Sequence, residues 1–156
     1  MADLPLGADP GTLPRCGERC ASRREFLAAA LALTVLPALR VMGDEAVFPI
    51  PSGDGASLDR DRGVIIVRHQ GEVRALVLWC PHQHTPLRWQ DADGRFECPK
   101  HHSSFQADGT RIEGRAERGM DRYAVRREGN DLVVDLGTIY REDQEAAQWQ
   151  AAVVRL

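Results

Sequence analysis

Cysteine and histidine are scarce in this chain, four and five among 156 residues. They are also unevenly spread. Two of the cysteines and four of the histidines fall in residues 80–105, CPHQHTPLRWQDADGRFECPKHHSSF, and no histidine follows His102. Other absences exclude whole classes of function. There is no basic stripe: the net charge is −3, and from residue 44 onward 15 basic residues face 19 acidic ones. A mildly acidic body of this kind excludes a nucleic-acid groove built on Lys and Arg. No period of 20–50 residues recurs, which excludes solenoids and propellers. No phosphate-binding loop, nucleophile–base pair or hydrolytic carboxylate pair stands out. The length allows one domain with a real core and excludes two large ones.

Long apolar runs are missing too, with one exception: FLAAALALTVLPAL, residues 26–39. As a helix these fourteen residues would measure roughly 21 Å, against ~30 Å for a hydrocarbon core. The run is apolar on every side, unlike an amphipathic core helix, and its length suits a signal-peptide apolar region. Ser22-Arg23-Arg24-Glu25-Phe26-Leu27, directly before it, resembles the twin-arginine export signal. That resemblance implies export of an already folded protein, usually one carrying a cofactor. Arg40 follows the run and no clean A-x-A site is present, so residues 1–43 are expected to be either a signal or a retained N-terminal anchor reaching Met42 or Gly43. Cys16 and Cys20, ahead of the arginines, are expected to be incidental.

The body reads as β structure. VIIVRH (64–69) and EVRALVLW (72–79) flank Gln70-Gly71, and RYAVRRE (122–128) and DLVVDL (131–136) flank Gly129-Asn130. Each pair is a hairpin signature. Residues 51–63, PSGDGASLDRDRG, read as a Gly- and Asp-rich link. The expected fold is all-β, a small antiparallel sandwich or barrel over residues 44–137, with an inserted subdomain at about 78–114. Turn signals inside the insertion lie at Ala92-Asp93-Gly94 and Ala107-Asp108-Gly109. Residues 138–156 are expected to form a helical tail, with Ala146, Trp149, Val153 and Leu156 on one face packed against the domain.

The Cys/His stretch supplies Cys80-x-His82 and Cys98-x-x-His101, with fifteen residues between His82 and Cys98. Two loops, each offering one thiolate and one imidazole, can close on a metal centre from opposite sides. Two Cys and two His suit a tetrahedral structural zinc or a two-iron, two-sulfide cluster. Zinc sites of the Cys-Cys, His-His kind keep like ligands together, whereas each loop here mixes them.

The pattern C-x-H-x15-C-x-x-H resembles the Rieske family of iron–sulfur proteins over about residues 46–137. The resemblance implies a 2Fe–2S cluster with Cys80 and Cys98 on the buried iron and His82 and His101 on the outer one. It implies hydrogen bonding to cluster sulfur near Ser103, while Phe105 stands where quinol-oxidising relatives have a hydroxyl-bearing tyrosine. Thr85 and Lys100 replace the two cysteines that brace those relatives with a disulfide, which makes the chain more similar to disulfide-lacking subunits such as the small subunit of arsenite oxidase. The loop covering the cluster in relatives would fall at residues 114–123, a stretch without proline. His84 and His102 occupy places where the family more often has Gly and are expected beside the cluster; His69 is expected to be structural.

Three functions fit the resemblance. One is an exported electron-transfer protein or oxidoreductase subunit on the outer side of the cytoplasmic membrane, with quinol, a cytochrome or a larger redox subunit as partner. The others are the ferredoxin component of a dioxygenase and a zinc-stabilised binding module. An oxygenase catalytic subunit is excluded, because its mononuclear iron needs two further His and a carboxylate.

Overall fold

The computed structural model describes residues 44–156. The expected twin-arginine segment, the apolar run and Cys16 and Cys20 lie outside the described residues. Among the described residues no helix is long and apolar enough to cross a membrane.

The expected hairpins form. Strand β3 (Val64–His69) pairs antiparallel with β4 (Glu72–Val77) across Gln70 and Gly71, whose φ angles of 52° and 77° give the doubly left-handed turn that matches strand twist. β9 (Arg122–Glu128) pairs with β10 (Asp131–Tyr140). β10 runs four residues past the expected Leu136 after a register shift between Asp135 and Ile139, where the Asp135 carboxylate accepts from Gly137 N–H and Thr138 Oγ1. Residues read as a link contain instead a strand, β2 (Gly55–Asp59), paired with β3, and β1 (Glu45–Pro49) pairs with β10. The larger sheet has the order β1-β10-β9-β4-β3-β2.

The apolar run of β3 does not alternate because both of its faces are buried. Ile65 and Val67 join one core with Leu76, Leu78, Phe96 and Phe105. Val64 and Ile66, a step of one residue away, join a second core with Val73, Ala75, Val77, Leu132 and Val134. Period-two geometry divides the strand between them. The first core continues into the insertion, a separate sheet of four three-residue strands: β5 (Arg88–Gln90), β6 (Arg95–Glu97), β7 (Ser104–Gln106) and β8 (Arg111–Glu113). The expected turns close it, with Gly94 at φ 60° and Gly109 at φ 89°.

The C-terminal expectation needs correction. Helix α1 spans only Ala146–Ala151, and Val154–Arg155 form β11, paired with Val73 and Glu72 of β4. The open edge of β4 explains this, since β9 meets β4 through the single pair Leu76–Arg122. Ala146 and Leu156 are exposed and Val153 is half-buried; Trp149, Ala152 and Val154 are buried. The segment does pack onto the domain, through Trp149. Its indole N–H donates to Met120 O at 2.7 Å, and its ring lies 3.4 Å from the Arg122 guanidinium. Arg122 is 2% exposed and donates to the carbonyls of Trp149 and Asp108. Burial, then the nearby charge of Arg74, pulls its pKa down to about 10, so it stays protonated at neutral pH.

Candidate metal centre

The two ligand loops are copies of one backbone design. In the first, Cys80 N–H donates to Thr85 O and His84 N–H donates back to Cys80 O, each at 2.9 Å. In the second, Cys98 N–H donates to Ser103 O and His102 N–H to Cys98 O, again at 2.9 Å. In both, the residue four after the cysteine turns left-handed: His84 at φ 50° and His102 at φ 55°. Proline follows each cysteine. The difference is that the candidate imidazole comes two residues after Cys80 and three after Cys98, so the loops are alike in backbone and offset in side chain.

This resolves the two spare histidines as a structurally equivalent pair that closes the two loops. Both are exposed. His102 Nδ1 is 2.9 Å from Glu97 Oε1, and the His84 ring lies edge-on to Trp79 at 6.1 Å. A left-handed non-glycine residue costs on the order of 1 kcal/mol, more when β-branched. His84→Gly should therefore fold normally, whereas His84→Val should lose about 2 kcal/mol, read as a drop in the thermal unfolding midpoint.

Cys80 and Cys98 are 1% and 2% exposed, unpaired, and part of the first core. Burial raises the Cys80 thiol pKa above the ordinary range, and the adjoining Cys98 side chain adds to this; the backbone N–H groups of His82 and Gln83, aimed at the sulfur, act the other way. A thiolate here needs a cation beside it. The histidines form the outer side. The rings of His82 and His101 are half-buried, their centroids 5.0 Å apart at 64°. His101 Nδ1 is buried with no hydrogen-bond partner, and desolvation, then the charge of Arg115, holds this imidazole below its usual pKa. A buried, unpartnered, neutral imidazole nitrogen has the state a metal ligand requires.

Among the described residues no three His, Cys, Asp or Glu side chains converge on one ion position. The candidates come as a thiol pair inside and an imidazole pair outside. Such a donor set fits two metal atoms joined by a bridge better than a single tetrahedral ion.

Ser103 is fully buried, and its Oγ accepts from Ala116 N–H at 3.0 Å, which leaves the hydroxyl proton free to be donated inward. Phe105 is fully buried in the same core as both thiols. The segment after β8 covers this end despite lacking proline: Ala116 is 1% exposed in the core that holds Cys80 and Cys98. Arg111 fastens it by donating from Nη2 to Gly114 O at 2.8 Å and from Nε to Ala116 O. Gly114 presses against Ser103 so closely that a Cβ would lie 2.4 Å from its Cα. The sequence marks Gly114, with Gly119, only as a turn residue of the covering stretch and not as a wedge against Ser103, and it gives no signal for Arg111 or Ala116.

The family model for the Rieske [2Fe-2S] domain matches residues 43–124. That is more than half of the chain, and the chain belongs to the Rieske family, an all-β fold whose cofactor is a 2Fe–2S cluster. The cytochrome b6-f complex iron-sulfur subunit of Chlorobaculum tepidum is 28% identical over 102 residues, 63% of this chain and 56% of that subunit. The chain thus spans just over half the length of that curated relative. Among solved structures, the plasma membrane Rieske protein of Synechocystis PCC 6803 aligns at 30% identity over 51% of this chain and 82% of its own, with a TM-score of 0.44. A chain of a hyperthermophilic respiratory Complex III aligns at 21% identity over 70% and 91%, with a TM-score of 0.46.

Proposed function

We propose that the chain is an exported Rieske electron-transfer protein, or the Rieske subunit of a membrane-associated oxidoreductase. It would pass single electrons between a quinol or periplasmic donor and an acceptor such as a c-type cytochrome. Cys80 and Cys98 hold the inner iron, and His82 and His101 hold the outer one. A 2Fe–2S cluster with two imidazole ligands exchanges one electron at roughly −150 to +300 mV, above the ~−400 mV of all-cysteine plant-type clusters.

The observation that carries this reading is the pairing of buried thiols with half-exposed imidazoles on two matching loops. The first core excludes water from the thiol side, while the imidazoles remain within reach of a partner. Ser103 supplies one hydroxyl toward cluster sulfur, and Phe105 supplies none, which favours a potential below that of relatives with a tyrosine there. The likeness to a cytochrome b6-f complex iron-sulfur subunit supports the reading as an oxidoreductase subunit. Export rests on Ser22–Leu27, and changing Arg23 and Arg24 to Lys in a reporter fusion should abolish it.

The direct test is iron, sulfide and zinc analysis of the purified protein, with an electron paramagnetic resonance spectrum after reduction. Two irons and two sulfides per chain, with an average g below that of all-cysteine clusters, are expected. One zinc and no sulfide, in protein made where clusters assemble, would make the same residues a structural clamp and end the electron-transfer reading.

A further inference from the structure

Residues 138–156 lie beyond the part of the chain that the family model matches, which ends at residue 124. Part of this tail reaches back to the covering segment after β8. Gly119 is buried, and its N–H donates to the Glu142 carboxylate at 2.5 Å. A buried N–H needs an acceptor, and this one comes from a side chain 23 residues further on. Trp149 Nε1–H donates to Met120 O at 2.7 Å, and the Met120 side chain is fully buried in the core that holds Cys80 and Cys98. Arg118 pairs with Asp143 as well as with Asp121. The fit is close: a Cβ on Gly119 would lie 2.8 Å from Glu142 Oε2 and 3.2 Å from Trp149 Cζ2. The sheet also grips the segment, through Met120 N–H to Gly109 O at 2.8 Å and Val77 N–H to Asp121 O at 2.9 Å. Both of those bonds lie at or beyond Met120; residues 117–119 are reached from the tail.

We propose that Glu142 and Trp149 are positioning residues of the metal centre, a strap that holds the covering segment and, through it, the Ser103 hydroxyl. The route is short. Glu142 and Trp149 fix Gly119 and Met120, and Ala116, three residues before Gly119, donates its N–H to Ser103 Oγ at 3.0 Å. Arg111 clasps the near end of the same segment at Gly114 O and Ala116 O, so the strap is its far-end fastener. The inference rests on the cluster reading above and deepens it by giving the tail a part in tuning the centre. Hydrogen-bonding groups outside the ligand set tune a metal site, and what orients them matters as well.

The test uses the full, cluster-loaded chain. W149F keeps a ring against Arg122 but removes the indole donor; E142A removes the acceptor for Gly119, and E142Q restores a neutral one. In E142A/W149F, amide exchange in peptides covering residues 114–121, followed by mass spectrometry, should quicken about tenfold. Iron loss to a chelator should quicken with it, and E142Q should recover most of the protection that E142A loses. The reduction potential, titrated by electron paramagnetic resonance, should move part of the way from the unaltered value toward that of S103A. In an S103A background the same tail substitutions should leave the potential unmoved, although exchange still quickens. An equal shift in both backgrounds is what general loosening would give, and it would overturn the route through Ser103. Unchanged exchange in E142A/W149F would overturn the strap itself. W149F alone, which keeps an aromatic ring in the buried site, gives the same readouts if the double variant folds poorly. Absence of the cluster spectrum from the unaltered protein would overturn the reading beneath the proposal, while amide exchange, which needs no metal, would still decide the strap.

Discussion

Replacing Gly114 by alanine is expected to destabilise the folded protein by about 4 kcal/mol, the sum of a steric and a conformational cost. The steric part is local and severe. A Cβ at this position would stand 2.4 Å from Ser103 Cα, 2.8 Å from Ser103 N and 2.9 Å from Ser103 Oγ. Two of those three atoms are backbone and cannot swing away as a side-chain tip could. The conformational part comes from φ at +97°, where residues with a Cβ rarely sit. Relief requires the segment 114–116 to lift off the second ligand loop. That movement would break the Ala116 N–H to Ser103 Oγ bond and open the core at Ala116, against which the cysteine side packs. Thermal unfolding of the cluster-loaded protein checks the stability, and the rate at which a chelator strips iron checks the opening. An unchanged midpoint would mean that the covering segment is not wedged against Ser103. Arg111→Ala, which removes the clasp but adds no atom, should show the faster iron loss with a smaller drop in stability.

The parts of the fold that could be read from sequence are those where local preference and tertiary environment agree. Val64–Val67 and Val73–Val77 are β-branched or alternating runs around a Gln-Gly turn, and they become the doubly buried centre of the sheet. β2 could not be read this way. GASLD has weak strand preference, and its ladder exists because β3 presents an edge to it. The tail failed for the converse reason. Ala146, Trp149, Val153 and Leu156 have helical spacing, but the vacant half of the β4 edge captures Val154 and Arg155, and helix survives only around Trp149. In the candidate site, the Cys and His spacing was legible because each loop is short and closes on itself. The wedge of Gly114 was not, because it sets Ser103 against a segment more than ten residues further on through backbone atoms, and the clasp from Arg111 was not, because its acceptors are backbone carbonyls that any residue supplies. The left-handed turn at His84 and His102 was hidden as well, since histidine is not a residue that announces such a turn.

His101→Cys is the substitution with the largest expected effect on function. If His101 is an iron ligand, cysteine at the same place keeps the cluster and replaces a neutral donor with an anionic one. The added negative charge disfavours the reduced state, and the potential should fall by on the order of 100 mV or more, toward the all-cysteine range. The surroundings can accept that charge: Arg115 and Lys100 are the permanent cations acting on this side chain. They limit the fall and help retain the cluster, so the variant is a better probe than alanine, which would leave an iron short of a ligand. The reach of the side chain is the one structural demand, because cysteine is shorter than histidine and the loop must close slightly. The left-handed His102, held by Glu97 at 2.9 Å, marks where that closure would be felt. The measurement is a redox titration followed by electron paramagnetic resonance, with iron and sulfide counted on the same sample. An intact cluster at an unchanged potential would remove His101 from the ligand set. The outer imidazole pair would then be a surface feature, and the electron exit would have to be sought elsewhere on the molecule.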